Sequence, residues 1–111
     1  MKNQREIKFR VWDKEEKGMI TSWLTGLKLW VKEPENYIPL QFTGLKDKNG
    51  KEIYEGDILE DKDWGIGIVG WNNFDAQWVL ECQCDYTALH FVIEQGAIIL
   101  GNTMENPELL K

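Results

Sequence analysis

The sequence predicts a mainly β fold, namely a small SH3-like barrel with an N-terminal β-hairpin extension and a short C-terminal helical turn. One observation is the density of short apolar segments separated by glycine, asparagine and acidic turn residues. Another is the Asn49-Gly50 pair, a strong short-range signal for a tight hairpin. The third is the order of residues 56–59, a variable loop, residues 67–69 and residues 78–80, a cadence typical of small barrels.

The N-terminal hairpin follows from the residues before position 25. Residues 5–13 alternate between apolar and polar side chains, which predicts a half-buried strand. One face of this strand carries Lys8, Arg10 and Trp12. A charged turn ending in glycine leads to a predicted return strand over residues 19–24.

Further strands are predicted along the rest of the chain, each bounded by turn residues. Residues 26–32 are assigned to a strand because their apolar side chains alternate. Asn106 and Pro107 predict the final helical turn, since proline is well tolerated at the first helical position. The other predicted strands cover residues 37–42, 53–54, 58–59, 64–71, 76–84, 89–93 and 97–100.

The central segment 42–59, FTGLKDKNGKEIYEGDIL, carries the clearest turn chemistry. Asn49 and Gly50 are expected to take positive φ together in a hairpin turn. Gly56 and Asp57 introduce the next strand. We interpret Asp57 as structural, with its carboxylate bonding nearby backbone N–H groups.

This central segment resembles the signature of the YopX family, small proteins of phages and prophages of Gram-positive bacteria. The opening REIKFRVWD at residues 5–13 and the tail GNTMENPELL at residues 101–110 are similar to the start and end of that family. The resemblance implies a phage or prophage origin and a shared fold. It implies no assigned molecular activity.

Length and composition favour a single domain. The 111 residues are enough for a hydrophobic core, with residues 1–36 as the N-terminal extension and residues 37–111 as the barrel-like core. The sequence contains six tryptophans, most of which are expected in the core or in a subunit interface. Two cysteines and the lack of an apolar run of membrane-spanning length predict a protein of the host cytoplasm, without a membrane partner.

Charge is divided unevenly along the chain. Residues 1–32 hold eight Lys/Arg and four Asp/Glu, a balance of +4, whereas residues 33–111 hold five and fifteen, a balance of −10. The acidic part opposes binding to a phosphate backbone. The basic end and the acidic body are expected to attract each other within one chain or between subunits.

Candidate chemical sites are sparse. Cys82, Cys84 and His90 could supply metal ligands, but the one-residue cysteine spacing and the missing fourth ligand argue against a zinc site. An acidic loop could hold Mg²⁺ or Ca²⁺, although it lacks the order of a calcium-binding loop. We therefore predict no cofactor and no catalytic set. The acidic loop comprises Glu55, Asp57, Glu60, Asp61 and Asp63.

The sequence favours a non-enzymatic accessory protein that self-associates and binds a phage or host protein. Lys8, Arg10 and Trp12 are the candidate contact residues, either for that partner or for nucleic acid, because two cations and an aromatic ring share one strand face. A nucleic-acid-binding module is the alternative, and a metal-dependent hydrolase that uses the acidic loop is the weaker one.

Overall fold

The computed structural model describes residues 6–83 and 85–110, of which 45% lie in strands and 19% in helices. The prediction of a mainly β chain with a C-terminal helical turn is therefore confirmed. In chain order the elements are β1 (Phe9–Asp13), β2 (Gly18–Ile20), α1 (Trp23–Lys32), β3 (Tyr37–Lys46), β4 (Glu52–Tyr54), β5 (Asp57–Asp61), β6 (Gly65–Asn72), β7 (Gln77–Glu81), β8 (Tyr86–Ala88), α2 (Leu89–Glu94), β9 (Ile98–Asn102) and a 3₁₀-helix (Pro107–Leu110).

The strands form two antiparallel sheets. The four-stranded sheet has the order β2-β1-β3-β4, and the five-stranded sheet has the order β8-β7-β6-β5-β9. The strands curl into a half-barrel, which is the form that the predicted barrel-like body takes. Neither of the two described α-helices is long and apolar enough to cross a membrane.

The predicted N-terminal hairpin is the β1–β2 pair. β1 also pairs with β3 of the same chain, for example Val11 with Pro39. These hydrogen bonds cross the expected boundary at residue 36. The division of a single domain into an extension and a core stays a prediction.

The main core lies between the five-stranded sheet and α2. Leu59, Val69 and Leu80 project from β5, β6 and β7, and Leu89 and Val92 project from α2. All five side chains are buried. Burying one such side chain contributes about 1.5–3 kcal/mol, so this cluster is a major source of stability.

The strand predicted over residues 26–32 is wrong, because these residues belong to α1. Trp23, Leu27 and Trp30 recur at intervals of four and three residues, which places them on one helix face. That face packs on the four-stranded sheet, with the Trp23 ring centroid 5.1 Å from that of Phe9. The predicted return strand 19–24 consequently ends at Ile20.

The strand predicted over residues 89–93 is also wrong, because these residues begin α2. Leu89, Val92 and Ile93 follow the i, i+3, i+4 spacing of a helix that packs against the core. The apolar run is too short for its period to separate the two structures. The strand predictions for residues 37–42, 64–71, 76–84 and 97–100 correspond to β3, β6, β7 and β9, with differences at the ends.

The turn at Asn49-Gly50 differs from the expected two-residue form. Only Gly50 of the pair has a positive φ, of 84°. The Gly50 N–H donates to the Asp47 carbonyl, and the Asp47 N–H donates to the Lys51 carbonyl. The loop is thus a longer one with glycine in the left-handed position, as is common in hairpins with more than two loop residues.

Asp47 ties this loop to the edge strand β9. Its Oδ1 accepts the N–H groups of Asn49 and Lys51, both at 2.9 Å, and its Oδ2 accepts the Ile99 N–H at 3.0 Å. Burial acts to raise the pKa of Asp47, but these three N–H groups outweigh it and lower the pKa. The bond to Ile99 also occupies part of a sheet edge that would otherwise be open to pairing.

Gly26 allows α1 to approach β1 closely. A Cβ atom at this position would lie 2.6 Å from Val11 Cγ2. We expect Gly26→Ala to destabilise the protein by about 1–3 kcal/mol, because overpacking outweighs the gain of about 1 kcal/mol in helix propensity. Urea unfolding measures the change. In a Val11→Ala background the same substitution should cost much less, and an equal cost in both backgrounds would contradict the proposed clash.

Asp47→Asn tests the carboxylate between the turn and β9. Because the folded-state pKa of Asp47 is lowered, its contribution is complete above the unfolded pKa of about 3.9 and is lost as the pH falls. We expect a loss of about 1–2 kcal/mol near pH 7, with a narrower gap from wild type near pH 3. Unfolding at both pH values measures this. Asp63→Asn, at an exposed acid, is the control, and a gap independent of pH would refute the explanation.

Candidate functional site

Arg10 joins the two sheets through an ion pair with Asp57, which begins β5. The Arg10 Nη2 contacts Asp57 Oδ1, and the guanidinium lies 4.5 Å from the Tyr54 ring centroid. Asp57 Oδ2 also accepts the Tyr54 N–H at 2.8 Å, as expected from the sequence, and Gly56 beside it has φ +87°. Burial raises the pKa of Asp57, opposed by Arg10 and the Tyr54 N–H. Arg10 is therefore engaged inside the protein.

Lys8 is also matched by carboxylates of its own chain. Its Nζ lies 2.8 Å from Glu52 and 3.2 Å from Glu6, and 4.9 Å from the Phe42 ring centroid. The hydrogen bond with Glu52 raises the pKa of Lys8 and lowers the pKa of Glu52. The positive charge of Lys8, which the sequence offered as a contact for nucleic acid, is thus largely neutralised by these carboxylates.

Trp12 is buried, beside Met19 of β2 and Ile38 of β3 in the strand register. The strand face that carries Lys8, Arg10 and Trp12 therefore makes extensive contacts within the chain. Its assignment as a partner surface stays a prediction.

The acidic loop is not gathered into a metal site. Within residues 6–83 and 85–110, no three His, Cys, Asp or Glu side chains are grouped so that they could hold a metal ion. Asp57 faces Arg10, and Asp61 Oδ2 accepts the N–H groups of Asp63 and Trp64, each at 2.9 Å. The Gln95 amide also donates to Asp61. These carboxylates are committed to the fold.

The cysteine and histidine candidates are placed separately where they are described. Cys82 and His90 line two different cavities, and Cys84 lies outside the described residues. Burial, Asp61 and Asp85 raise the pKa of the Cys82 thiol. A raised pKa reduces the thiolate fraction, which is the reactive form.

An exposed tryptophan pair extends the core face of the five-stranded sheet into solvent. Val69 pairs with Leu80 in the core, and two residues further along the strands Trp71 pairs with Trp78 on the same face. The two rings meet edge to face, with centroids 5.2 Å apart at 76°. Trp78 packs against the core, while Trp71 is 48% exposed. The pair therefore forms an apolar surface beyond the core, on the same face of the five-stranded sheet.

A groove runs between this pair and β3, which we call the Trp groove. Two cavities of about 450 and 260 Å³ share Thr43, Leu45 and Trp78 in their walls. The ladder between β1 and β3 ends at Gln41, and the following residues of β3 pair with β4 on one edge while Thr43 and Leu45 line the groove. The residues that define it are Thr43, Leu45, Trp71, Gln77, Trp78 and His90.

The sequence did not identify the Trp groove. Trp71 and Trp78 are predicted only as core or interface aromatics, and His90 is considered only for a metal site that the cysteine spacing argues against. Their meeting depends on the β6–β7 register and on the position of α2, neither of which a single-residue pattern specifies. The recurrence of Trp at 71 and 78 around the turn residues Asn72 and Asn73 was the one available signal.

Arg10→Met tests the importance of the ion pair between the sheets. It leaves the Asp57 carboxylate buried without its cation, so we expect a loss of about 3–5 kcal/mol in the free energy of unfolding. Urea unfolding near pH 7 measures it. Lys8→Met, just before β1 and at a more exposed pair, should cost clearly less. Equal losses from both substitutions would contradict a special role for Arg10.

The comparisons with known proteins agree with the resemblance in the sequence. A solved structure, that of protein EF1440 from Enterococcus faecalis, is 27% identical with a TM-score of 0.68, over 97% of this chain and all of the other. No curated protein matches. The model of the YopX protein family matches residues 22–111, most of the chain. The protein therefore belongs to the YopX family.

Proposed function

We propose that this protein is a non-enzymatic phage or prophage accessory protein of the host cytoplasm that self-associates and binds a phage or host protein. Membership of the YopX family supports the phage origin. The Trp groove supports the binding role, because it is a preformed concave surface that the fold leaves open, with the exposed Trp71 ring in its wall. The single observation that carries the proposal is the half-exposed Trp71 held against Trp78.

The groove has the chemistry of a peptide-binding surface. Aromatic side chains contribute large contact areas at low entropic cost, and they are enriched where proteins bind one another. Thr43, Gln77 and His90 place polar groups along its walls. A concave aromatic surface with a few polar groups suits an extended segment of a partner, with an apolar side chain packed beside Trp71.

Electrostatics disfavour nucleic acid as the partner. The chain carries a net charge of −6, and the ammonium of Lys8 and the guanidinium of Arg10 are already paired with carboxylates. Binding to a phosphate backbone depends on cations that can replace the counterions. The hydrolase alternative is weaker still, because Asp57 and Asp61 bond to the protein itself.

Trp71→Ser tests the groove in pull-down experiments from host cells in which the phage or prophage is active. We expect wild-type protein to retain a protein partner and the variant to lose most of it, because the exposed ring supplies the anchor. Quantitative mass spectrometry of the bound fraction measures the difference.

Phe91→Ser is the matched control. Phe91 is 45% exposed, close to the value for Trp71, but it does not line the groove. It should retain the partner. Equal retention by both variants would rule out the groove. Capture of nucleic acid that is lost at high salt would instead favour the alternative.

A further inference from the structure

A phenylalanine stands in solvent at the tip of the β6–β7 hairpin. Phe74 is 93% exposed, in a turn that Asn72 and Ala76 hold in place. The Asp75 N–H donates to Asn72 Oδ1 at 2.7 Å, and Ala76 has φ +53°. The Tyr86 hydroxyl donates to Asp75 at 2.9 Å. Phe74 and Asp75, which we call the hairpin tip, thus form a fixed apolar and acidic projection.

A complementary surface lies on the outer side of α1. Leu24 and Val31 are 63% and 67% exposed, and seven residues apart they share one helix face. Lys28 lies between them, and Lys32 follows on the same side. We call these four residues the α1 stripe. The ion pairs among the described residues have Lys8 or Arg10 as the cation. The ammonium groups of Lys28 and Lys32 take part in none of them.

The two surfaces do not cover each other within one chain. The exposures of Phe74, Leu24 and Val31 show that each side chain faces solvent. α1 packs on β1, β2 and β3 of the four-stranded sheet, whereas the hairpin tip belongs to the five-stranded sheet. Contact between them therefore requires two molecules.

We propose that the hairpin tip of one copy of this protein docks on the α1 stripe of a second copy. This inference rests on the proposed self-association and specifies its geometry. The Phe74 ring packs across Leu24 and Val31, and Asp75 pairs with Lys28 or Lys32. A second copy is the occupant because both complementary surfaces are on the same chain, with +4 in residues 1–32 and −10 in the remainder.

A crevice between α1 and the four-stranded sheet is too small to take the Phe74 ring. The gap between the inner face of α1 and the sheet, lined by Trp23, Leu27 and Trp30, has a volume of about 70 Å³. A cavity of roughly 150 Å³ binds a benzene ring, about twice the volume of this crevice. The Phe74 ring accordingly lies on the outside of the helix and does not enter the crevice.

The contact joins two different surfaces, so a pair of copies held by one such contact keeps one free tip and one free stripe. Such head-to-tail contacts form rings if the rotation closes and open chains if it does not. The assembly should also weaken as salt rises, because exposed ion pairs are screened. Its mean mass should increase with concentration before any ring closes.

Two complementary variants test the proposal by sedimentation velocity. Phe74→Ser removes the tip and leaves the stripe, whereas Leu24→Glu repels Asp75 and leaves the tip. For each variant alone, self-association should be weaker than for wild type by a factor of about ten or more. A 1:1 mixture should form heterodimers that do not grow further, because only one working contact remains in the pair. Both positions are exposed, so thermal unfolding should be nearly unchanged.

The outcomes separate this contact from self-association in general. If wild type is a monomer at high concentration, the proposed self-association itself fails. If wild type assembles and both variants assemble equally well, self-association stands but this contact is overturned. Heterodimers in the mixture, with Phe91→Ser assembling like wild type, establish the head-to-tail contact. A mixture in which neither species pairs overturns it.

Discussion

The ion pair between Arg10 and Asp57 is the interaction on which the arrangement of the two sheets depends. Arg10 belongs to the four-stranded sheet and Asp57 is the first residue of β5 in the five-stranded sheet, so their ion pair connects the two sheets. Desolvating both charges is costly, and the Tyr54 N–H and the Tyr54 ring help to offset that cost. Gly56, which lies between β4 and β5, is also held to β6, because its N–H donates to the Val69 carbonyl. The curvature of the half-barrel is thus fixed where β4 turns into β5.

Short polar side chains accept hydrogen bonds from backbone N–H groups near the ends of the paired strands. Asp47 bonds its own turn and the Ile99 N–H of β9, and Asn106 Oδ1 accepts the Asn102 N–H at 3.1 Å. Asn102 in turn accepts the N–H groups of Met104 and Glu105. The bonds from the Ile99 and Asn102 N–H groups occupy donors on the edge strand β9 that another chain could otherwise pair with. Association by strand pairing through β9 is therefore disfavoured relative to association through side-chain surfaces.

The exposed apolar side chains form separate surfaces with different chemistry. The Trp groove is concave and nearly neutral, with polar groups along its walls, which suits a peptide. The hairpin tip and the α1 stripe are convex and of opposite charge, which suits a second copy. Because the two proposed contacts use different residues, binding of a partner in the groove and docking of a second copy would not exclude each other. Bivalent binding of this kind increases avidity without any new contact.

The sequence by itself determined the mainly β class, the N-terminal hairpin and the C-terminal helical turn, because alternation and turn residues are local signals. The family followed from the resemblance of its opening, central and closing segments to the YopX signature, which the family model supports. The sequence also indicated that Asp57 bonds backbone N–H groups. Only the tertiary structure decided that residues 23–32 and 89–94 are helices, since burial of Trp23, Leu27 and Trp30 on one face outweighs a short alternation. It alone paired Arg10 with Asp57 and placed Trp71 beside Trp78, because contacts between distant residues depend on strand register and sheet curvature, which no local pattern encodes.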